Sequence, residues 1–378
     1  KINLNSWNNL ITGKIFRMPL KVLTIIFLIF SLIGCSQLGP DFMETGRNEY
    51  NKVLANTNDE ETLLNLVRRR YADSIAVLEV NSVSTSLEWK KNIGIVAKIF
   101  DGGSDVNNVG ITGNGSYSEK PTITYLPLRG SDYVKNVLSP IKIDTILLLA
   151  RSGWAIDRIL RLTVNKINGI NNASEASGPT PAIAPKYKEF KIVADRINAL
   201  QALDAFSFGY RVDGDPNSLG LLLKANHRNS DEVSSFLKSI NVKTDNTIIP
   251  IVNKSSAQST TDLIELNLRS LAGIQFFLSH GVIIPEEDIK KGRVQITKTS
   301  IGETFNWNDV LLDLFIVHSS KNIPTDAVVA VQYRGYWFYI KDNDMDSKYT
   351  LMLLNQISAL QSGNVEKAGP VLTLPVSQ

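Results

Sequence analysis

The sequence predicts an α+β fold: mixed helices with antiparallel sheet regions and no regular βαβ repeat. Three observations predict it. Apolar residues recur at helical spacing in some segments and alternate with polar residues in others, so the period moves between 3.6 and 2 along the chain. The helical and extended segments do not alternate one by one, as a parallel sheet would require. Glycine, proline and asparagine clusters punctuate the boundaries. With 43% apolar and 20% charged residues in 378, the chain is able to build a core.

Taken in order, Gly46 to Ala55 and Asp59 to Tyr71 read as two helices. The second opens with Asn58 and has Glu61 three residues on, a capping-box pattern. Leu63, Leu64, Leu66 and Val67 share one face, and Arg68, Arg69 and Arg70 close the helix, where cations oppose the dipole. That triplet is expected to be a solvated helix end, with an anionic lipid headgroup contact as the sharper alternative. From Ile75 to Tyr125 the period becomes two, and Gly102-Gly103 and Gly113-Asn114-Gly115 are expected as turns of a small antiparallel sheet.

Helices return over Ile143 to Arg151 and Ala155 to Asn165, separated by Ser152-Gly153. Residues 173–186 hold three prolines and little periodicity, and form either a linker or a long loop between regions 46–172 and 187–378. The second region reads as a helix over Tyr187 to Ala202, strands over Phe206 to Val212 and Leu219 to Ala225, and a helix over Asp231 to Ile240. A longer helix is expected over Ile264 to Ser279, and extended segments over Arg293 to Thr299, Val310 to His318 and Ala327 to Lys341. Tyr333-Arg334-Gly335-Tyr336 suits a tight hairpin turn. A helix from Ser347 to Leu360 and a terminal strand over Val371 to Pro375 complete the chain.

The N-terminal segment carries the clearest functional pattern. Lys14, Arg17 and Lys21 precede an uncharged run from Val22 to Ile33, too short to span a bilayer. A basic stretch before a short apolar run is the form of an export signal. Leu32-Ile33-Gly34-Cys35 follows, and looks like the lipobox of bacterial lipoproteins. Residues 1–34 are therefore expected to be a signal peptide, with Met18 as a candidate true start. Cys35 is expected to be the lipidated residue, and residues 35–45 a lipidated tether. The thiol would take a diacylglyceryl group, and two or more acyl chains hold a protein stably on a membrane. Ser36, where aspartate would retain the protein at the inner membrane, favours the outer membrane, facing the periplasm.

Charge and residue counts narrow the chemistry. The chain has 40 basic and 37 acidic residues. Four of the basic residues and none of the acidic ones precede Cys35, leaving 36 against 37, a net of −1. A near-neutral body lacks the footprint that nucleic-acid binding needs. With one cysteine there is no internal disulfide and no thiol-rich zinc site. His227, His280 and His318 lie far apart in the sequence and form no helical metal motif, and no nucleophile elbow or phosphate loop is present. No catalytic residue and no cofactor is predicted. Asp342, Asp344 and Asp346 have the spacing of a calcium loop, but Ser347 and Leu353 stand where such a loop needs glycine and a bidentate glutamate. They are weak metal candidates, expected instead to form a turn and helix cap, with Asp346 or Ser347 as the cap. Trp337 and Tyr339 fall on one strand face and Tyr336 and Phe338 on the other. Trp337 is expected to be core.

Several stretches resemble a family of uncharacterised proteobacterial envelope lipoproteins. They are Leu63 to Arg68 with Arg70-Tyr71, Tyr117 to Tyr125, Ser152-Gly153-Trp154, and Tyr336 to Tyr339 with Ser347-Lys348. The resemblance implies an envelope location and assigns no residue roles. The leading expectation is a non-enzymatic, lipid-anchored scaffold or binding component. Its partners would be the membrane, through the anchor, and an envelope protein or the cell wall, with no nucleic acid. The alternative is a lipid-anchored hydrolase of cell-wall glycan or peptide.

Overall fold

The computed structural model describes residues 38–75, 78–97, 109–127, 131–210, 219–253, 261–362 and 372–375. The chain divides into two compact units, residues 1–58 and residues 59–378. Of the first unit the described part, residues 38–58, is helical. The second is an α+β unit with three sheets among the described residues.

Helix α1 runs over Leu38–Arg70, so one helix replaces the two expected, and it begins inside the range expected to be tether. The Asn58 start signal is overridden. The Thr57 hydroxyl instead donates back to the carbonyls of Val53 (2.9 Å) and Leu54 (3.1 Å), a bond that leaves the helical backbone intact. Strands β1 (Leu78–Ala97) and β2 (Val109–Pro127) form a long antiparallel hairpin. Gly113-Asn114-Gly115 is not a turn: these residues sit inside β2, opposite Ile93, Asn92 and Lys91. A continuous ladder of backbone bonds decides their conformation against their local turn preference. Gly102-Gly103 lies outside the described residues.

Helices α2 (Ser131–Leu138), α3 (Ile143–Arg151) and α4 (Ile156–Thr163) follow. Gly153 separates the last two at a φ of +88°, a left-handed conformation that favours glycine. Strands β3 (Val164–Ile167) and β4 (Ile170–Asn171) lead into residues 173–186. That segment contains a short 3-10 turn at Ser174–Ser177, and Ala173 and Ala176 are fully buried. It is fastened along its length: Ile183 bridges Lys298, and the Thr297 hydroxyl donates to the Pro181 carbonyl (2.7 Å).

Helix α5 (Lys188–Ala202), strands β5 (Phe206–Tyr210) and β6 (Leu219–Leu223), helix α6 (Asp231–Ser239) and strand β7 (Ile248–Val252) come next. Ser230 caps α6, its hydroxyl accepting from the Val233 amide. The expected helix over Ile264 to Ser279 is instead two elements, strand β8 (Ile264–Leu268) and helix α7 (Leu271–Ser279). Ile264, Leu266 and Leu268 are buried in alternation, and Ser270 caps the helix through the Gly273 amide (3.0 Å). β8 pairs with β7 in parallel and with β3 antiparallel, so partners distant in sequence decide the split. Strands β4-β3-β8-β7-β6-β5 make a six-stranded sheet. Ile146 of α3, Leu160 of α4, Ile197 of α5 and Phe236 of α6 pack with Leu221 and Ile264 of that sheet to form the main core.

Helix α8 (Glu286–Lys290) and helix α9 (Asn308–Leu311) are short. Arg293 to Thr299 is not a strand: its β-type pairing among the described residues is limited to the Lys298 bridges. Val310 to His318 begins in α9 and becomes extended at its end, where strand β9 (His318–Ser320) starts. Strands β10 (Ala327–Tyr333) and β11 (Tyr336–Lys341) form the expected hairpin, with φ of +49° at Arg334 and +84° at Gly335, the signs of a type I′ turn. This second sheet has the order β10-β11-β9. Phe338 and Ile340 are fully buried, whereas Trp337 and Tyr339 are half-buried on the opposite face. The core expectation for Trp337 is thus corrected: alternation named two faces, and packing against Tyr71 (ring centroids 6.2 Å from Phe338) chose the other one. Helix α10 (Met345–Ser362) and strand β12 (Leu372–Pro375), which joins the edge of β2, end the described chain. Among the described residues, no helix is long and apolar enough to cross a membrane.

Candidate functional site

An open groove of about 600 Å³ lies between α8, β9 and the start of β11. Pro285 opens α8, Glu286, Glu287 and Asp288 fill its first turn, and Lys290 ends it, a charge order that suits the helix dipole. Glu287 is the central side chain. Its carboxylate accepts from Lys291 (2.5 Å) and from the Tyr336 hydroxyl (2.9 Å), with Lys321 at 4.0 Å. These partners, Lys291 first, pull its pKa down to about 2. The Lys321 ammonium also lies over the Tyr336 ring, 5.7 Å from its centre.

The groove stands on a rigid base. Asp288 is fully buried and accepts from Tyr71 (2.6 Å) and Arg293 (2.6 Å), which supply the donors that a buried carboxylate needs. Burial and the bond to Asp288 push the Tyr71 phenol well above its usual range. At the hairpin tip, Arg334 pairs with Asp73 (2.8 Å) and lies over the rings of Tyr71 and Tyr333, while the Tyr333 hydroxyl also donates to Asp73.

Deeper in the same unit lies a polar interior that sequence reasoning missed. Arg269 has no exposed surface, and its guanidinium donates to the carbonyls of Arg161 (2.7 Å), Leu162 (3.2 Å) and Asn172 and to the Ser177 hydroxyl (2.8 Å). Two of those carbonyls close α4, so the negative end of that helix stands in for a carboxylate. The ring of Phe277 lies 4.1 Å from the same cation. Burial lowers its pKa to about 9. The arginine triplet of α1 is not a solvated end. Arg70 is buried and donates to the Gln295 carbonyl (3.0 Å), and Arg69 bonds Gln275 (2.7 Å) over the Phe276 ring. His280 ends α7 in the interior, stacked on Trp307, and the ring nitrogens of both residues lack a hydrogen-bond partner, as does Arg70 Nε.

The other candidates do not converge. Asp344 caps α10 by accepting from the Ser347 amide (3.0 Å) and hydroxyl (2.7 Å), so the cap is neither Asp346 nor Ser347. Asp346 pairs with Arg158 (2.6 Å) and Asp342 with Lys348 (2.7 Å), each carboxylate turning to a different cation. Among the described residues no group of three or more histidine, cysteine or acidic side chains could hold a metal ion. His227 lies in the turn before α6, and His318 opens β9 beside Tyr339. Cys35, with Leu32, Ile33 and Gly34, lies outside the described residues. A second cavity, between the helices and the six-stranded sheet, has only apolar walls and a volume of about 20 Å³, room for one water-sized probe and no ligand. Comparison with protein families, characterised proteins and solved structures finds nothing that matches this chain.

Proposed function

We propose that the protein is a non-enzymatic, lipid-anchored envelope lipoprotein that holds another envelope component at the groove beside α8, on the periplasmic side of the outer membrane. The resemblance to proteobacterial envelope lipoproteins and the Leu32-Ile33-Gly34-Cys35 pattern support the anchor. The observation that carries the binding role is the state of Glu287. A carboxylate that donates a proton during bond cleavage needs its pKa raised toward neutrality. Lys291 and Tyr336 do the reverse, favouring the carboxylate form of Glu287, and Asp288 behind it is enclosed by Tyr71 and Arg293. An open polar groove of tied side chains suits recognition better than glycan or peptide hydrolysis.

Two measurements in the bacterial host test the two halves of this reading. Cys35→Ser should abolish incorporation of a radiolabelled fatty acid, and undiminished label would refute the anchor. Photo-crosslinkers placed at Lys290 and Ser320 should attach the full-length protein to one envelope component, whereas a crosslinker at Arg228, which does not line the groove, should not. Equal yield from both positions would refute the groove as the binding surface.

A further inference from the structure

We propose that the groove takes an extended peptide strand, which adds to β9 at Ser319 and sets an acidic side chain beside Lys321. The inference rests on reading the groove as a binding surface and names the class of its occupant.

The argument starts from backbone direction. In an antiparallel pair, successive residues turn their N–H and C=O groups alternately toward the partner strand and away from it. The outward direction is known at Val317, one residue before β9. Its N–H donates to the Gly281 carbonyl (3.0 Å), and its carbonyl accepts from the Ile283 amide (2.9 Å), a short parallel bridge on the side away from β11. Gly281 permits this approach, because a side-chain carbon there would stand 2.4 Å from the Phe315 carbonyl oxygen. His318 and Ser320 therefore face Tyr339 and Trp337 of β11, and Ser319 faces outward like Val317.

Two residues further along, that parallel bridge would join the Ser319 amide to the Ile283 carbonyl and the residue-285 amide to the Ser319 carbonyl. Residue 285 is proline, which has no N–H to give, and the chain turns into α8. Neither bond forms. Ser319 thus offers an amide and a carbonyl in the groove wall, with Pro285 and α8 opposite. An unpaired amide and carbonyl on one residue of a sheet edge are what an extended peptide pairs with.

Charge selects among peptides. Glu286 and Glu287 each have a lysine one turn on, Lys290 at 3.2 Å and Lys291 at 2.5 Å. Lys321 is 72% exposed and reaches Glu287 only at 4.0 Å. Three lysines against two glutamates leave the groove cationic, with Lys321 as the lysine farthest from its carboxylate partner.

The test pans a phage-displayed library of random nonapeptides on the full chain in detergent. Winning sequences should carry aspartate or glutamate. Ser319→Pro, which removes an N–H that β11 does not use, should weaken them by about tenfold or more while leaving the urea midpoint in place. Lys321→Glu should weaken them by a similar factor. Synthetic winners with N-methylated amides supply a test free of any protein variant. Methylation at every second amide of the central segment should abolish binding in one register and leave it unchanged in the other. Winners indifferent to Ser319→Pro and to N-methylation in both registers, or no winners at all, would overturn the proposal. So would glycan strands that bind and depend on Lys321 but not on Ser319. A crosslinked non-peptide partner at Ser320 would defeat the strand while sparing the groove, and undiminished fatty-acid label in Cys35→Ser would refute only the anchor.

Discussion

The imidazole of His280 lies almost parallel to the indole of Trp307, with ring centroids 4.1 Å apart and 17° between their planes. Both rings are buried, and their three nitrogens have no hydrogen-bond partner. A neutral imidazole tolerates that setting, because a flat apolar face is what the indole needs. A charged one does not, because the Arg70 and Arg269 cations both disfavour it.

Acid should therefore loosen the protein through His280. Burial first, then Arg70, lower its pKa to about 3, with the Ala176 backbone opposing and Arg269 adding the weakest push. The unfolded value is about 6.5. Between those values the unfolded chain binds the extra proton, so the stability is fully present above pH 6.5 and is lost as pH falls toward 3. Urea midpoints at pH 7 and pH 5 should differ by on the order of 2 kcal/mol, and His280→Phe should flatten that difference. An unchanged slope in the variant would show that other groups carry it.

Arg269→Met should be costly although it removes a buried charge. The Leu162 and Asn172 carbonyls would lose the guanidinium donor, and the Arg161 carbonyl would keep only the Asn172 side-chain amide. Hydrogen bonds to charged groups contribute roughly 1.5–3 kcal/mol each, and a loss of at least about 3 kcal/mol is expected. Arg269→Lys should recover only part of it, since an ammonium lacks the planar fork. Chemical denaturation of the full chain measures both.

Truncation along β11 should separate its two faces. Phe338→Ala removes a ring with no exposed surface and should cost about 3–5 kcal/mol. Trp337→Ala, on the half-buried face, should cost about 1 kcal/mol. Equal losses would mean that the strand is packed on both sides.

The acidic loop before α10 should respond as a cap and ion pairs. Asp344→Ala should cost about 1 kcal/mol as a lost cap. Asp346→Asn should cost less than about 1 kcal/mol, because Asp346 is half exposed in its pair with Arg158. A melting temperature that rises with millimolar calcium, and no longer does so in Asp344→Ala, would instead make the loop a metal site.

Much of the groove's scaffold was legible in the amino-acid order, and the groove itself was not. The hairpin at Tyr333 to Tyr336 was readable because Arg334-Gly335 suits a turn with two positive φ values. Proline before three acids at Pro285 to Asp288 is a helix-start signal visible in the sequence. No local pattern, however, sets Pro285 opposite Ser319 or Tyr336 against Glu287, since these residues lie in segments that meet only after folding.

The sequence by itself determined the class of fold and those breaks and turns that depend only on residues within a few positions of one another. The Asn58 cap instead gave way to a continuing helix, and the Gly113-Asn114-Gly115 turn to longer-range strand pairing. Ser230 caps α6 and Gly153 separates α3 from α4 for reasons visible in their immediate surroundings. Tertiary structure alone decided which alternating face of β11 went inside, where β8 ended and α7 began, and that Arg70 and Arg269 would be buried. Burial and strand pairing are settled by partners far away in the chain. A cation enters the interior only where distant carbonyls, here those closing α4, replace the water it gives up.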